Sequence, residues 1–447
     1  MNILVPHNWI LDFVETDATP AEIAEKLSLH ALSVENITKT SDGDHIFEIE
    51  ITPNRPDALS VLGVAREVGA IFTQHKTEAE FKDKEPRIRL KKPENPLNLD
   101  VRIKKPNLCP RFSAVILDNV EIKESPQKIQ KRLEKVGIRS LNNAIDITNY
   151  LMIERGQPMH VFDYEKIAGN KMILRESREG ETLTTLDGKK RELPPGTIVI
   201  QDQDKLIDLC GIMGGANSCV DMGTTRIVLF VQIYNPQRIR ETTQKMSFRT
   251  DASARFEKSM DPQGVVPALK HATKFLRENA NAQIASKLID IENQKYGESK
   301  IILSEEDVEK VLGVEVDPRQ ICTILRALGF EIDWLTSPDD ISGAPELRAT
   351  VPSWRSTDIQ ESIDLVEEVA RIYGYHNIPS KLPPLPKTLY QQEKIFQWEK
   401  LTKKYLEGWG YTEVKTTSFT NESELRNANL ELKNTLRVQN PLTEDAT

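Results

Sequence analysis

The stretch Ile46-Phe-Glu-Ile-Glu-Ile51, followed directly by Thr52-Pro-Asn-Arg-Pro-Asp57, decides how the first part of this chain folds. Apolar and polar residues alternate over 46–51 with a period of two, which predicts a half-buried β-strand. The prolines, asparagine and aspartate of 52–57 end that strand, and a helix is predicted from Leu59 to Ile71. A strand, a turn and a helix in this order indicate a mixed α and β fold.

Working outward, the N-terminal region has a clear helix start and a clear boundary. Thr19-Pro20-Ala21-Glu22 combines a capping box with proline at the first helical position, so a helix is predicted to begin there. Between Glu80 and Asn98 the chain becomes charged and rich in proline, as linkers between packed units are. We therefore predict an N-terminal α+β domain over residues 1–90.

A second, larger domain is predicted over residues 100–290. Short β-rich runs such as Phe112–Leu117 and Ile198–Ile200 are mixed there with capped helices, one of which begins at Ser125-Pro126. Runs of this kind, with helices between them, predict one α+β domain.

A smaller unit is predicted over residues 300–379. Ser304 and Asp317 are placed to cap two short helices, and Leu347–Val351 has the composition of a strand. Two short helices followed by a strand suit a winged-helix-like unit. The apolar positions expected to face inward are Val308, Val311, Leu312, Ile321, Ile324, Leu325 and Leu328.

The last region, residues 387–447, follows a proline-dense connector at 379–386. An amphipathic helix is predicted through Trp398 and Leu401, and a strand over Tyr411–Phe419. One helix and one strand cannot bury a core, so this region is expected to be the start of an incomplete domain. The predicted fold class is thus α+β and multidomain.

Composition narrows the possible functions. The 447 residues are 38% hydrophobic and 28% charged, as in folded globular chains, and three or four domains are expected at roughly 100 to 200 residues each. The net charge of −9 excludes attraction to a polyanion by overall charge. Any RNA contact must therefore use local basic stretches, such as Lys104-Lys105 and Lys128–Arg139, which equally suit solvated helix faces.

Targeting and cofactor motifs are sparse. Four scattered cysteines give no zinc pair and predict reduced thiols, and no stretch approaches the roughly 20 apolar residues of a membrane span. With no signal-peptide pattern, we expect a cytoplasmic protein and no membrane partner. The sequence also lacks a phosphate-cradling GxxxxGK[ST] motif, and Gly211–Gly215 does not have the spacing of a dinucleotide fingerprint.

Four pairs of segments follow one another in a fixed order along the chain. They are Thr52–Asp57 with Leu59–Glu67, Asp146–Tyr150 with Gly156–Asp163, Gly211–Gly215 with Arg249–Glu257, and Val351–Arg355 with Asp364–Tyr375. Each segment is weak evidence alone, but all four in this order resemble the β subunit of bacterial phenylalanine–tRNA ligases over essentially the whole chain.

The resemblance implies an editing-type domain at 100–290, a B5-like unit at 300–379 and the start of a catalytic-like domain at 387–447. It also implies a partner α subunit that holds the ATP, phenylalanine and catalytic motifs, in an (αβ)₂ enzyme that charges tRNA(Phe). No aminoacylation residue is then expected here, and ATP is a substrate of the assembled enzyme. Compared with the family, the chain lacks an oligonucleotide-binding-fold insertion before Thr52 and is expected to be truncated at its C-terminus.

Acidic residues cluster after Trp354. Asp364, Glu367 and Glu368 stand at i, i+3 and i+4, so on a helix their carboxylates share one face, with Asp358 just before it. Mutual repulsion there favours a bound cation, and oxygen ligands suit Mg²⁺. The alternative is that these acids complement the helix dipole while Arg371 pairs with Glu367 or Glu368. The resemblance implies that all four acids are magnesium ligands.

The resemblance also implies an editing pocket for tRNA(Phe) mischarged with tyrosine, because a hydrophobic site cannot strongly reject an analogue that adds only a hydroxyl. The matching positions are His160, Gly214, Thr250 and Ala252. Three of them have an alternative role: His160 suits a satisfied core histidine, Gly214 a tight turn, and Thr250 a helix cap.

One departure bears on that activity. The glutamate that accepts the tyrosine hydroxyl in the family aligns with Phe230, so a buried phenol would lose its acceptor at a cost of roughly 1 to 3 kcal/mol. We therefore expect weak or absent editing unless Gln232 or another group reaches in. The competing hypothesis is a noncatalytic tRNA-binding or assembly protein that keeps the fold.

Overall fold

The computed structural model describes residues 1–74, 79–83, 86, 88, 90, 93–340, 344–382, 393–430, 436–441 and 443. Its contacts divide the chain into two units, Met1–Pro379 and Ser380–Thr447. The three regions predicted as separate domains before residue 379 therefore pack together as one unit.

The N-terminal region is a small antiparallel sheet, of order β1-β4-β3, covered by helices. The predicted capping box is present, since the Thr19 hydroxyl accepts from the Glu22 N–H and the Glu22 carboxylate accepts from the Thr19 N–H. Only the β3–β4 hairpin lies between the capped helix and Thr52. The elements are β1 (Asn2–Pro6), α1 (His7–Ile10), β2 (Val14–Thr16), α2 (Pro20–His30), β3 (Ser33–Lys39), β4 (His45–Glu50), α3 (Val61–Gln74) and β5 (Ala79–Phe81).

Part of the predicted linker is instead structured. β5 pairs antiparallel with β2, with Glu15 opposite Glu80, so the start of the 80–98 stretch belongs to the N-terminal region. The strand lies within the predicted N-terminal region 1–90 and overlaps the predicted linker only at Glu80 and Phe81, because strand pairing across a long sequence interval leaves no local pattern. Several other positions of that stretch (84, 85, 87, 89, 91 and 92) lie outside the described residues.

The central region contains two larger sheets, and the β-rich runs Phe112–Leu117 and Ile198–Ile200 lie in different ones, within Arg111–Asp118 and Ile198–Gln201. In one, of order β14-β13-β12-β9-β6, β6 and β9 are parallel. In the other, β15 lies between β7 and β8. The elements are β6 (Asp100–Ile103), β7 (Arg111–Asp118), α4 (Gln127–Lys135), α5 (Asn143–Arg155), β8 (Met159–Asp163), β9 (Lys171–Glu176), β10 (Thr182–Thr184), β11 (Lys190–Glu192), β12 (Ile198–Gln201), β13 (Leu206–Leu209), β14 (Met213–Gly214), β15 (Ile227–Ile233), α6 (Pro236–Met246), α7 (Asp251–Phe256), α8 (Val265–Asn279), β16 (Gln283–Ile284) and β17 (Ile289–Glu292).

The smaller region is a three-stranded sheet, β18-β20-β19, with three helices. Ser304 and Asp317 cap their helices as predicted, by accepting from the N–H groups of Asp307 and Arg319. Val311, expected inside, is exposed. The elements are β18 (Lys300–Ser304), α9 (Glu305–Leu312), α10 (Pro318–Ala327), β19 (Glu331–Thr336), β20 (Glu346–Thr350) and α11 (Ser362–Tyr373).

One continuous cluster of buried apolar side chains runs through all three regions, from Ile3 to Ile372. A separate small cluster holds the hairpin β10–β11 against β12 and β13. Burial of apolar area on this scale is the main force holding the three regions together.

The unit Ser380–Thr447 contains α12 (Lys394–Gly408) and α13 (Glu422–Asn427). The predicted helix is confirmed, whereas residues 411–419, predicted as a strand, form no strand. In the described chain they have no ladder partner, and an extended segment without one is not a β-strand. Residues 383–386 of the proline connector lie outside the described residues. Within the described chain, no helix has the length and apolar character needed to span a bilayer.

Candidate functional site

Two of the four predicted pocket residues, His160 and Gly214, lie on the edge strands of two different sheets, which approach each other there. His160 lies on β8, directly opposite Phe230 of β15. Gly214 lies on β14, at the edge of the other sheet. A Cβ atom built at Gly214 would lie 2.5 Å from His160 Nε2, so the imidazole sits directly against this backbone. The fold thus brings together two residues separated by more than fifty positions.

His160 is a half-buried, neutral imidazole. Burial lowers its pKa to about 4, so it carries no charge near neutral pH. Its ring packs edge-on against Phe162 at 5.1 Å and against Phe230 at 5.8 Å between centroids. A neutral imidazole in this setting can donate or accept a hydrogen bond, and it can act as a weak general base.

The glycine pair is needed for close approach. At Gly215, a Cβ would lie 2.6 Å from the Ile207 carbonyl oxygen, which is too close for any side chain. The Gly214 carbonyl accepts from the Leu186 N–H at 3.0 Å, which places the β10–β11 turn beside Gly214. Leu186, which borders Gly214 from that turn, was not predicted from the sequence because nothing local marks it.

Thr250 joins this group through the backbone, while Ala252 is placed beside it. The Thr250 hydroxyl donates to the Ile212 carbonyl at 2.9 Å, two residues before Gly214, and also caps α7 by accepting from the Ser253 N–H. The capping role and the pocket position are therefore compatible. Ala252, in the first turn of α7, is half-buried and packs against the main apolar cluster.

Phe230 occupies a fully buried position in the central strand of its sheet. Its ring contacts Phe162 at 4.8 Å and Phe112 at 5.7 Å between centroids. Gln232 follows two residues later on the same face of β15 and is also buried. The Gln232 Oε1 atom has no hydrogen-bond partner in the described chain, so it is an available acceptor next to the aromatic group.

The sequence segments around Asp57 and Asp364 meet in a chain of buried ion pairs. Arg55 binds Glu67 at 2.5 Å, Glu67 binds Arg371 at 2.6 Å, and Arg371 binds Glu368 at 2.6 Å. Arg355 then holds both Glu368 oxygens, at 2.7 and 2.9 Å. We call these five residues the charge ladder. The sequence predicts a role for Glu368, as a magnesium ligand or a partner of Arg371, but none for Arg55, Glu67 and Arg355 beyond the matched segments. Charged residues just after a predicted strand and within an apolar helix are the signal that could have indicated them.

The ladder sets the ionisation of its acids. Burial alone would raise the pKa of Glu67, but Arg371 and Arg55 outweigh it and lower that pKa to about 2. Burial would also raise the pKa of Glu368, but Arg371 and Arg355 outweigh it. The pKa of Glu368 therefore lies well below the ordinary range of a glutamate. Both carboxylates are therefore charged at every physiological pH.

The four acids predicted as magnesium ligands do not fit one ion. Both oxygens of Glu368 are held by Arg355 and Arg371, and Asp358 is bound by Arg355 at 2.9 Å. A guanidinium thus occupies the position between Asp358 and Glu368 that a cation would need. Within the described residues, no group of three or more His, Cys, Asp or Glu side chains could hold a metal ion.

The helix explains why the four acids separate. Glu367 and Glu368 are consecutive on α11, about 100° apart around its axis, and the boundary between core and solvent passes between them. Glu368 is buried and Glu367 is exposed. Asp364 caps α11, since its Oδ2 accepts from the N–H groups of Gln360 and Glu361. The alternative in which Arg371 pairs with Glu368 is confirmed.

The basic stretch Lys128–Arg139 is largely used inside the protein. On α4, Arg132 binds Asp12 at 2.6 Å and Lys135 binds Asp44 at 2.9 Å. The Arg132 guanidinium also lies 5.0 Å from the Trp9 ring centroid. These contacts attach the central region to the N-terminal region, so Arg132 and Lys135 are not free for contact with RNA.

Comparisons with known protein families agree with this arrangement. The model described as "B3/4 domain" matches residues 108–281, and "tRNA synthetase B5 domain" matches 301–375. "Phenylalanyl tRNA synthetase beta chain CLM domain" matches 378–447. These domains place the chain among the tRNA-synthetase proteins.

Comparison with individual relatives narrows the class of tRNA-synthetase proteins to one family. The "Phenylalanine–tRNA ligase beta subunit" of Carboxydothermus hydrogenoformans is 37% identical over 410 residues, covering 90% of this chain and 48% of the relative. That of Syntrophus aciditrophicus is 38% identical over 413 residues, covering 90% and 49%. The chain belongs to the phenylalanine–tRNA ligase β-subunit family, and it spans about half the length of the curated relatives it matches.

A solved structure is also similar. An N-terminal fragment of the phenylalanyl-tRNA synthetase β subunit from Pyrococcus horikoshii aligns with a TM-score of 0.47 and 15% identity. The alignment covers 84% of this chain and all of that fragment.

Proposed function

We propose that this chain works as a β subunit of phenylalanine–tRNA ligase, in the cytoplasm, within an (αβ)₂ heterotetramer. Its α-subunit partner would hold the ATP and phenylalanine sites and attach phenylalanine to tRNA(Phe). Family membership and the order of the matched domains support this role. The chain itself would supply tRNA-handling and proofreading architecture.

Co-expression with the α subunit from the same genome tests this role. We expect the two chains to co-purify and to charge tRNA(Phe) with phenylalanine in an ATP-dependent assay. Each chain alone should be inactive in that assay. Stable co-purification without any charging activity would count against a ligase role.

We further propose that His160, Gly214 and Thr250, with Ala252 beside them, form the wall of an editing-type pocket with weak activity towards Tyr-tRNA(Phe). The contact between His160 and the Gly214 backbone carries this proposal, because it joins two of the predicted positions in one place. Phe230, opposite His160, offers a tyrosine hydroxyl no acceptor. A buried phenol without a partner loses roughly 1 to 3 kcal/mol, or up to about a hundredfold in discrimination.

Deacylation of Tyr-tRNA(Phe) by the assembled enzyme is the direct test. We expect slow hydrolysis by the wild type and faster hydrolysis by Phe230→Glu, with Phe230→Gln as a second variant in case a buried charge prevents folding. Circular dichroism would verify that each variant folds. Rapid wild-type hydrolysis that is abolished by Thr250→Ala or His160→Ala would contradict weak editing.

Gln232 tests whether another group replaces the lost glutamate. Its buried Oε1 atom has no partner in the described chain and lies on the Phe230 face of β15. If residual hydrolysis depends on this amide, Gln232→Leu should abolish it while leaving phenylalanine charging unchanged. Hydrolysis that survives Gln232→Leu would exclude Gln232 as the acceptor.

A second candidate function is a noncatalytic tRNA-binding or assembly protein with the same fold. The fully buried Phe230 favours it, because an aromatic side chain at this position suits packing better than substrate recognition. This candidate predicts tRNA binding without an α-subunit partner and without charging. Size-exclusion chromatography of the two chains mixed together separates the two functions.

We propose that the magnesium site is smaller than the predicted group of four acids and consists of Asp364 and Glu367. These residues lie one turn apart on α11, Glu367 is exposed, and Asp364 Oδ1 lies outside the hydrogen bonds of the described chain. Magnesium commonly takes one or two carboxylates and keeps several waters. Isothermal titration with Mg²⁺ should show binding that Asp364→Asn with Glu367→Gln removes. Binding unchanged in that double variant would refute the site.

A further inference from the structure

A cavity of about 300 Å³ lies where the N-terminal, central and smaller regions meet. Residues lining it include Arg66 of α3, Gln157, Asp261 and Trp354. None of His160, Gly214, Thr250 or Ala252 lines it, so it is distinct from the editing-type pocket. Its size is at the low end of the range for small-molecule sites, about 300 to 1,000 Å³.

Most of the charges at this cavity are already paired. Asp57 binds Arg55 at 2.9 Å, and Asp83 binds Arg155 at 2.8 Å. Two charged groups remain, Arg66 and Asp261, and neither takes part in an ion pair among the described residues. As far as the described residues go, the wall therefore offers one unpaired cation and one unpaired anion.

The Arg66 guanidinium packs against aromatic rings, and no acid of the described residues forms an ion pair with it. Its guanidinium carbon lies 4.1 Å from the Trp354 ring centroid and 5.8 Å from that of Phe81. No hydrogen bond within the described part of the chain uses this guanidinium. Stacking of this kind fixes the plane of the guanidinium and leaves its N–H donors free for a ligand.

Asp261 is held in place by neutral donors. Its carboxylate accepts from the Ser353 hydroxyl at 2.8 Å and from the Gln263 N–H at 2.8 Å. Burial raises its pKa, although these two hydrogen bonds and the charge of Arg66 act against the rise. A cationic ligand group would satisfy the remaining lone pairs of this carboxylate.

Two buried polar atoms at the cavity wall have no partner in the described chain. Gln157 is only 6% exposed, and its Nε2 donates to the Asp261 carbonyl, which fixes the amide so that Oε1 is the unpaired acceptor. Trp354 Nε1–H is the unpaired donor. Buried polar atoms are nearly always hydrogen-bonded, so an unpaired donor and an unpaired acceptor at one cavity require partners from outside the chain.

We propose that this cavity binds a free α-amino acid as its zwitterion. The carboxylate would lie against Arg66 and the Trp354 N–H, and the ammonium group against Asp261 and Gln157 Oε1. Leu62, Met260 and Ala268 provide apolar wall for the side chain. A ligand that is only an anion would leave Gln157 Oε1 without a partner beside Asp261. A ligand that is only a cation would leave Arg66 without a partner. A ligand that carries both charges pairs with both groups.

Isothermal titration of the full chain with glycine, L-leucine and L-phenylalanine tests this proposal, with acetate and methylammonium as half-probes. We expect saturable one-to-one binding of at least one amino acid and much weaker binding of both half-probes. Gln157→Leu and Arg66→Gln should each weaken binding about tenfold or more, since each removes a hydrogen bond to a charged group. The exposed matched controls Gln237→Leu and Arg139→Gln should bind as the wild type does.

Two further measurements keep the result unambiguous. Circular dichroism would establish that each variant is folded, and Arg66→Lys should retain part of the affinity because it keeps the charge. The ¹⁵N-indole resonance of Trp354, assigned with Trp354→Phe, should shift when the amino acid binds. The proposal is overturned if no amino acid binds at millimolar concentration, if acetate binds as tightly as the amino acids, or if both site variants bind unchanged.

Discussion

Replacing Glu368 by glutamine tests the charge ladder most directly. This carboxylate accepts four hydrogen bonds, from Arg355 at 2.7 and 2.9 Å and from Arg371 at 2.9 and 2.6 Å. Glutamine keeps the shape but turns one acceptor into an NH₂ group that faces guanidinium donors. Breaking a buried pair by removing one partner costs about 3 to 5 kcal/mol.

The structure places this substitution at the lower end of that range. Arg355 keeps Asp358 and Arg371 keeps Glu67, so neither guanidinium is left without a carboxylate. We therefore expect Glu368→Gln to lower the free energy of unfolding by about 3 kcal/mol. The matched control is Glu367→Gln, the same substitution one residue earlier on the exposed face of α11. Measured without added magnesium, because Glu367 is a proposed magnesium ligand, it should change stability by no more than about 0.5 kcal/mol.

Urea unfolding followed by circular dichroism measures both variants under identical conditions. A Glu368→Gln protein within about 1 kcal/mol of the wild type would refute the assigned role of the ladder. Equal destabilisation by Glu367→Gln would refute the burial argument. Adding a chelator to the wild type supplies a second check: if magnesium instead of arginine neutralised Glu368, chelation would reproduce the loss, and we expect no such effect.

Three further predictions concern pH, a helix cap and the glycine pair. The pKa of Glu67 is about 2 in the folded protein and near 4.5 in the unfolded chain. The contribution of Glu67 to stability is therefore present above pH 4.5 and is lost as the pH falls from 4.5 towards 2. The urea midpoint should drop over this window in the wild type and drop less in Glu67→Gln. Thr19→Ala removes the capping box of α2 and should cost about 0.5 to 2 kcal/mol by thermal or urea unfolding, whereas an unchanged midpoint would mean that the cap is not needed. Gly214→Ala places a methyl group 2.5 Å from His160 Nε2, so it should displace the imidazole and shift the histidine resonance. Any deacylation should be lost while charging of tRNA(Phe) persists. An unmoved resonance would contradict the assigned contact.

Much of the local structure could be predicted because its causes are local. The caps at Thr19, Ser304 and Asp317 are recognisable from a few adjacent residues, since a side-chain oxygen bonds an N–H only two or three positions away. Alternation over 46–51 likewise gave β4 to within one residue. The prediction that Val311 is buried was wrong, because helical spacing marks a stripe of positions without deciding how wide the buried part of that stripe is.

The candidate pocket was predicted by resemblance and not by pattern. No periodicity links His160 to Gly214, and their contact depends on two sheets meeting at their edges. Phe230 was marked as a departure from the family, but its place in a buried aromatic group needed the register of β15 with β8. The sequence could name these residues without showing what they touch.

The sequence by itself determined the helix caps, the strand alternation and the family. Only the tertiary structure decided that Glu368 pairs with arginines while Glu367 faces solvent, and that Arg66 and Asp261 are left unpaired around one cavity. The physical reason is that the energy of a charge depends on its burial and on its nearest opposite charge. Glu67 and Arg371 become neighbours at 2.6 Å across three hundred positions only when the chain has folded.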